Sequence, residues 1–249
     1  MSLPRSSLTN PKTMRIFSDF FPSEVKVYIS SRAVDFSWGP AAPHMTEPQA
    51  AWLLSETGRR PEEVFSLSQV HGARCFVLRS GETFTQNAMP EADAVVSDMP
   101  DLALAVRVAD CLPVFLYDAR HQCLGMIHAG RKGSQQEVTL KAVKVMQKTW
   151  GSEPSDLLVA LGPGIRQCCY EGGEEFREVF PQAVLRKHER WFLDLVAVNQ
   201  QQLLSSGIRE EHIRDCGHCT CCRPEYFSYR REGIKAGRHL CLIIKAKPS

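Results

Sequence analysis

Residues 92–133 read ADAVVSDMPDLALAVRVADCLPVFLYDARHQCLGMIHAGRKG and contain three apolar, strand-like runs. One run leads into Asp110 and Cys111, and the next leads into His128. His71 stands at the end of a similar apolar run further upstream. Side chains at strand ends are held by a rigid scaffold and face the connecting loops, where sites are usually built. We therefore expect a site formed by two histidines and a cysteine.

The composition is that of an ordinary folded protein: 249 residues, 43% apolar and 23% charged. A formal charge of +2 gives no general attraction to nucleic acid, and no apolar run reaches the ~20 residues of a membrane helix. The first residues are basic but lack the apolar segment of a signal peptide. We therefore expect a cytoplasmic protein without nucleic-acid or membrane partners, in which the ten cysteines are reduced thiols.

Strand and helix patterns are interleaved without strict alternation, which favours an α+β fold over a doubly wound sheet. Outside the central stretch, strands are predicted at residues 25–30, 64–70, 74–78, 156–161 and 239–245. Helices are predicted at residues 48–54, 135–150, 174–180 and 194–204. Ser134 and Asp194 are the expected N-caps of the second and last helices. The length and the even pattern predict one domain, residues 1–249, with residues 1–20 as a poorly ordered N-terminal extension.

His71, Cys111 and His128 offer a thiolate and two neutral imidazoles, which are suitable ligands for zinc. A water molecule in the fourth position could then lose a proton near neutral pH and act as a nucleophile. Without metal, the same groups could form a Cys–His nucleophile and base pair. Because the three residues are 40 and 17 positions apart, their spacing also permits a buried thiol and ordinary core imidazoles.

Two neighbouring features indicate supporting roles. Asp110 ends an apolar run, where a carboxylate needs a partner, and accepting the second N–H of a ligand histidine would provide one. An exposed turn aspartate is the alternative. Arg131 and Lys132 lie in a glycine-bracketed turn that runs into a helix, where amides and cations suit a phosphate. A solvated basic turn would explain this second pattern equally well.

Three segments together resemble the signature of the YfiH family, whose members have also been described as polyphenol oxidases or laccases. They are SQVHG at residues 68–72, VADCLPV at 108–114 and IHAGRKG at 127–133. The resemblance continues through LGPGIRQCCYEGG at 161–173, FLDL at 192–195 and CTCCRPEYFSYRREGIKAGR at 219–238. It therefore covers the chain, in order, from about residue 68 to the C-terminus.

The resemblance implies a single-domain α/β/β/α layered fold and one zinc site made by His71, Cys111 and His128. It also implies phosphorolysis of adenosine, inosine or related nucleosides such as methylthioadenosine to the free base and ribose 1-phosphate. Deamination of adenosine would be a parallel activity. In this interpretation His71, Asp110, Cys111 and His128 are catalytic. The partners are a nucleoside and phosphate, and the enzyme is a monomer or a homodimer.

The phosphate would be bound by basic residues around the metal. The candidates are Arg32, Arg131, Lys132, Arg230, Arg231 and Arg238. Guanidinium groups can meet two phosphate oxygens at once, although pairing with surface carboxylates is the alternative, particularly for Arg231. The chain departs from the family where HAGWRG is replaced by HAGRKG, so that Arg131 takes the place of a flat apolar side chain.

Other functions are compatible with parts of this pattern. A hydrolase that removes a misincorporated amino acid from a UDP-sugar of the cell wall could use the same site. A copper polyphenol oxidase would need several coppers and closely spaced histidines, and the eight histidines include no His-X-His pair. Copper is therefore a weaker candidate than zinc. If Arg131 disables the site, the chain would be a non-enzymatic binding module.

Two further cysteine-rich segments need an interpretation. Residues 216–222 contain four cysteines and a histidine, which could form a metal knuckle. A structural zinc site usually draws on two separated ligand pairs, however, and this segment alone offers one. The Cys168-Cys169 pair is interpreted as a packed turn.

Overall fold

The structure, a computed structural model, describes residues 13–37, 45–83 and 89–245. The strands are β1 (Thr13–Met14), β2 (Val25–Ser30), β3 (Val64–Ser66), β4 (Cys75–Leu78), β5 (Ala94–Ser97), β6 (Ala103–Val108), β7 (Leu112–Asp118), β8 (Cys123–Ala129), β9 (Leu158–Leu161), β10 (Glu171–Gly172), β11 (Val184–Lys187), β12 (Arg190–Leu193), β13 (Ile213–Asp215) and β14 (His239–Lys245). The α-helices are α1 (Glu47–Thr57), α2 (Arg131–Gln135), α3 (Val138–Trp150), α4 (Glu175–Val179), α5 (Leu195–Ser205) and α6 (Tyr229–Glu232). None of the helices in these ranges is long and apolar enough to cross a membrane.

Two large mixed sheets form the centre of the fold. One has the strand order β1-β2-β14-β6-β3 and the other β13-β9-β7-β8-β5-β4. The strands of the first sheet bury both faces, because their side chains alternate between two cores. In β14, for example, Cys241 and Ile243 lie in the core between the sheets, whereas Leu242 lies in the core on the opposite face.

Helices cover the outer faces of both sheets. On the five-stranded sheet, Trp52 and Leu53 of α1 complete the outer core. On the six-stranded sheet, Met146 of α3 and Leu203 of α5 are buried, together with Leu193 of the small sheet β10-β12-β11. The order of layers is thus helix, sheet, sheet, helix, which confirms the predicted α+β, α/β/β/α fold.

Several predicted elements have the expected bounds. The strands at 25–30 and 239–245 are confirmed. Asp194 caps α5, where its side chain accepts a hydrogen bond from the Ala197 amide at 3.0 Å. The single helix predicted over 135–150 is wrong: it is two helices, α2 and α3, separated at Glu137, whose φ of 61° is left-handed.

The predicted N-cap at Ser134 is therefore wrong as well. Ser134 is buried near the end of α2, and its hydroxyl accepts a hydrogen bond from Asn199 of α5 at 2.9 Å. The strand predicted over 64–70 stops at Ser66. At the other end of the chain, residues 13–20 of the predicted N-terminal extension belong to the fold, since β1 pairs with β2 and Phe17 is buried between the sheets. Residues 1–12 lie outside the described residues.

Candidate active site

Three chain segments bring His71, Cys111 and His128 together at the rim where the two large sheets meet. Cys111 lies in the short link between β6 and β7, which belong to different sheets, and His128 lies near the end of β8. His71 lies in the turn between β3 and β4, with a left-handed φ of 59°. The Cys111 sulphur and the imidazole nitrogens all lie within 4.8 Å of one another.

Asp93, immediately before β5, holds two of these segments in place. Its Oδ1 accepts hydrogen bonds from His128 Nδ1 at 2.8 Å and from the His71 amide at 3.0 Å. Its Oδ2 accepts from the Gly72 amide at 2.6 Å. Burial acts to raise the pKa of Asp93, but these hydrogen bonds outweigh it and lower that pKa below its ordinary value. A charged Asp93 keeps the proton of His128 on Nδ1 and leaves Nε2 for the site.

Two glycines allow this close approach. A Cβ on Gly130 would lie 3.0 Å from the Cys111 sulphur and 3.3 Å from His71 Cδ2. A Cβ on Gly133 would lie 2.7 Å from the Gly72 carbonyl oxygen. The glycines that bracket the basic turn therefore make room for the neighbouring site residues.

Cys111 and His128 form an electrostatic pair. Burial opposes a charge on either group, but the positive charge of His128 and hydrogen bonds from both imidazoles lower the pKa of Cys111 to about 6. The Cys111 charge and the hydrogen bond to Asp93 raise the pKa of His128 to about 9 against the effect of burial. The thiolate is thus the favoured form of Cys111 near neutral pH, as both nucleophiles and metal ligands require.

The same donors suit a zinc ion. Bonds of about 2.0–2.3 Å to a tetrahedral zinc place neighbouring ligand atoms up to about 3.8 Å apart, and the atoms of the trio, within 4.8 Å of one another, are near the spacing that a single ion requires. A histidine that donates its second N–H to a carboxylate is typical of such sites. His71, Cys111 and His128 would be the ligands of such an ion.

The predicted role of Asp110 as the partner of a ligand histidine is wrong, because Asp93 occupies that place. Asp110 is 8% exposed, and its carboxylate accepts hydrogen bonds from Thr220 Oγ1 at 2.6 Å, Ser228 Oγ at 3.1 Å and the Arg230 amide at 2.6 Å. Its φ of 86° turns the chain from β6 towards β7. Asp110 therefore attaches the chain segment around residues 220–230 to the rim beside Cys111.

A cavity of about 810 Å³ opens at the trio. This volume lies within the range of small-molecule sites. The lining comprises Ser37, Gln69, Val70, His71, Arg107, Ala109, Asp110, Cys111, His128, Arg131, Lys132, Ile165, Tyr170, Leu195, Tyr229, Arg230 and Arg238. The predicted cations Arg131, Lys132, Arg230 and Arg238 are thus brought together with the trio.

Two of these arginines are supported by aromatic rings. Arg230 lies over Tyr170, with its guanidinium carbon 5.4 Å from the ring centroid, and donates to the Glu171 carbonyl at 2.8 Å. Arg131 lies over Phe176, at 5.9 Å. Such stacking holds a guanidinium in place while its remaining N–H groups stay available.

Two other predicted phosphate ligands do not line this cavity. Arg32 forms an ion pair with Glu232 at 3.0 Å and lies over the Phe227 ring. Arg231 donates to the carbonyls of Thr220 and Cys221 and pairs with Glu232. The partners of both arginines lie in the closing segment (residues 219–238), which corrects their assignment to phosphate binding.

The sequence reasoning missed Asp93 and Arg107. Asp93 begins the apolar run of β5, and a charged residue at that position was a signal comparable to Asp110. Arg107 interrupts the apolar run of β6. Burial and the nearby charge of Arg238 lower the pKa of Arg107 to about 10, so two cations share one part of the cavity wall. An anion there would relieve their repulsion.

A family model described as "Multi-copper polyphenol oxidoreductase laccase" matches residues 41–246. The chain belongs to this family. The predicted resemblance to YfiH is confirmed by solved structures of the family. The YfiH protein of Bacillus licheniformis superposes with a TM-score of 0.79 at 25% identity and covers 90% of this chain and 94% of its own. YlmD of Geobacillus stearothermophilus gives a TM-score of 0.78 at 25% identity, with 90% and 93% covered.

Relatives of this laccase-like family carry two kinds of enzyme name. A purine nucleoside phosphorylase of Bacteroides thetaiotaomicron is 30% identical over 207 residues, covering 77% of each chain. A purine nucleoside phosphorylase of Deinococcus radiodurans is 29% identical over 229 residues, covering 86% of this chain and 87% of its own. An "Adenosine deaminase RL5" from an unknown prokaryotic organism is 30% identical over 201 residues, covering 75% and 76%. The laccase description and the relatives' names thus point to different chemistry.

Proposed function

We propose that this chain is a zinc-dependent purine nucleoside phosphorylase that cleaves adenosine, inosine and related nucleosides with phosphate and also deaminates adenosine. One observation carries the proposal: the Cys111–His71–His128 trio, held by Asp93, opens onto a cavity whose wall is rich in cations. The names of the relatives support the reaction class.

The cations provide the phosphate subsite. A phosphate dianion that leaves water needs charged donors, and Arg107, Arg230 and Arg238 line one cavity with the trio. Phosphorolysis needs the phosphate oxygen aligned with the anomeric carbon of the ribose, and such alignment lowers the barrier mainly through orientation. The aromatic side chains of Tyr170 and Tyr229 supply apolar surface for a purine ring.

Bound zinc would supply Lewis acidity and a water of lowered pKa. The residues of the chain would orient it: Asp93 keeps His128 in one tautomer, and the charge of His128 favours the thiolate of Cys111. Copper is the rival metal because of the family's description. The carboxylate–histidine pair and the absence of a second histidine-containing ligand group among the described residues favour zinc.

A product assay tests the reaction. Adenosine should be consumed only when zinc-loaded protein and phosphate are both present, and adenine and ribose 1-phosphate should appear in equal amounts. Inosine formed without phosphate would report the deaminase activity. Adenine released equally well in phosphate-free buffer would instead indicate hydrolysis, and the absence of any nucleoside turnover by zinc-loaded protein would contradict the proposal.

Metal analysis of matched cysteine variants tests the site. Cys111→Ala should lose one zinc per chain together with nucleoside turnover, because it removes one of three protein ligands. Cys75→Ala changes another partly buried cysteine, outside the trio, and should keep both the zinc and the activity. Zinc content unchanged in Cys111→Ala, or copper in place of zinc in the active protein, would contradict the assignment.

A further inference from the structure

Four cysteine sulphurs meet away from the trio. Cys168, Cys169, Cys219 and Cys222 have all their Sγ atoms within 4.8 Å of one another. Cys222 Sγ lies 3.5 Å from that of Cys168 and 3.3 Å from that of Cys169. A tetrahedral zinc with Zn–S bonds of ~2.3 Å separates its sulphurs by about 3.8 Å, whereas a disulfide requires ~2.05 Å. The observed spacing is close to the edge of a tetrathiolate tetrahedron.

We propose that Cys168, Cys169, Cys219 and Cys222 form a second metal site, a structural zinc tetrathiolate. The ligands come as two separated pairs, adjacent cysteines from one loop and a C-x-x-C turn from another, as structural zinc sites usually require. The knuckle considered within residues 216–222 is thus replaced by a site that spans two loops. Cys216 and Cys221 are not members of the cluster.

Backbone and side-chain contacts hold the two loops in register. They follow β9 and β13, which pair in parallel. Beyond the strand ends, Thr220 N donates to the Gly164 carbonyl at 3.1 Å, and Arg166 pairs with Asp215 through two hydrogen bonds of 2.7 Å. Because these contacts already bring the loops together, binding a metal between the four sulphurs would cost the chain little conformational entropy.

The charge of the cluster also suits a divalent cation. Cys219, at the start of the C-x-x-C turn, is 7% exposed, and its sulphur lies with those of exposed Cys168 and Cys222. Four thiolates in contact would repel one another, and a divalent cation at their centre removes that repulsion.

The cluster is connected to the cavity wall. Thr220, inside the C-x-x-C turn, donates to Asp110 at 2.6 Å, next to Cys111. Arg231 donates to the carbonyls of Thr220 and Cys221 at 2.8 Å. A metal that fixes this turn would therefore stabilise the segment that carries Arg230 to the cavity.

A pair of adjacent variants tests the site. Zinc bound per chain is measured for the full-length protein, purified under reducing conditions, and for Cys222→Ser and Cys221→Ser. Cys222→Ser should hold one zinc fewer than the unmodified protein, whereas Cys221→Ser should hold the same amount. Cobalt loaded into the protein should give the sulphur-to-metal absorption of a tetrathiolate, which Cys222→Ser abolishes and Cys111→Ala leaves in place.

These zinc and cobalt measurements test the second site independently of the proposed function. Cys222→Ser should lose the zinc of the cysteine cluster, and Cys111→Ala should lose the zinc of the trio. Each proposal can therefore be contradicted without affecting the other. Equal zinc in Cys222→Ser and Cys221→Ser would overturn the second site, as would a cobalt spectrum that depends on Cys111 only.

Alkylation of the unmodified protein provides a test that needs no folded variant. Cys168 and Cys222 are exposed, so iodoacetamide should modify them rapidly in chelator-treated protein and slowly after zinc is restored. Cys221 should react equally in both samples. Protection of Cys222 that does not depend on zinc, or a disulfide within the cluster in protein kept reduced, would overturn the proposal.

Discussion

At the scale of single residues, Asp93 and Asp110 show how two buried carboxylates at one rim take different roles. Asp93 is fully buried and accepts hydrogen bonds from the His128 imidazole and from three amides of the His71 turn. Asp110 bonds to two hydroxyls and one amide of the closing segment. The first therefore orients a candidate ligand, and the second positions a wall of the cavity.

We predict that Asp93→Asn lowers zinc affinity at the trio, or nucleoside turnover, by about 10–100-fold. The amide keeps an acceptor for His128 but removes the negative charge that favours its tautomer and raises its basicity. Zinc affinity is measured by competition with a chelator of known strength, and the fold is checked by circular dichroism.

Asp118→Asn is a matched control. Asp118 is 1% exposed and accepts a hydrogen bond from His121 Nδ1 at 2.8 Å, so it forms a similar carboxylate–imidazole pair outside the site. This variant should lose stability without losing zinc. If both variants lose zinc to the same extent, the effect of Asp93→Asn is a general one on folding.

At the scale of elements, helix α2 packs closely against the His71 turn. Gly133 lies within α2, and Glu137, with a left-handed φ of 61°, separates α2 from α3. The glycine at position 133 leaves space that the Gly72 carbonyl fills.

We expect Gly133→Ala to destabilise the fold by about 1–3 kcal/mol, the usual cost of inserting a methyl group into a well-packed site. The added Cβ would lie 2.7 Å from the Gly72 oxygen, so the backbone must move. Because the Gly72 amide also bonds to Asp93, zinc affinity should fall as well. Urea unfolding measures the first effect and chelator competition the second.

Gly72→Ala serves as the control for stability. Its Cβ would meet Asp93 Oδ2 at 3.5 Å and Val70 Cγ2 at 3.6 Å, which are ordinary contacts. The unfolding free energy should stay near that of the unmodified protein. A larger loss for Gly72→Ala than for Gly133→Ala would contradict the packing argument.

At the scale of the whole molecule, the last strand, β14, connects the five-stranded sheet to the closing segment. It pairs with β2 on one side and with β6 on the other. Its first residue, His239, accepts a hydrogen bond from the Phe227 amide at 2.6 Å and donates to the Ser30 carbonyl at 2.7 Å. These two bonds require the neutral imidazole.

We predict that this histidine makes the protein less stable in mild acid. Burial lowers the pKa of His239 to about 4, whereas an unfolded histidine titrates near 6.5. Between these values the unfolded state binds more protons, so stability is complete above about pH 6.5 and falls as the pH drops towards 4. At roughly 1.4 kcal/mol per pKa unit, the loss reaches about 3 kcal/mol.

Urea unfolding at pH 7 and pH 5, with chelator present throughout, measures this loss. His239→Gln should be less stable at pH 7 and should show a smaller difference between the two pH values. His188→Asn, at an exposed position, should keep the difference of the unmodified protein. A pH dependence that survives in His239→Gln would assign the effect to other groups.

Local patterns determined much of this protein. Apolar runs predicted β2 and β14, and Asp194 predicted the start of α5. The quoted motifs indicated the family and, through the resemblance, the trio. The strands and the helix start depend on residues close in sequence, where side-chain direction and capping act directly.

The tertiary structure decided which distant residues meet. Asp93 reaches His128 because β5 pairs with β8 across 35 positions, and nothing local to Asp110 excluded the same role. The cysteine pairs at 168–169 and 219–222 meet because β9 and β13 pair in parallel. Strand register is set by the packing of whole sheets. Local periodicity predicts single elements but does not determine which strands pair.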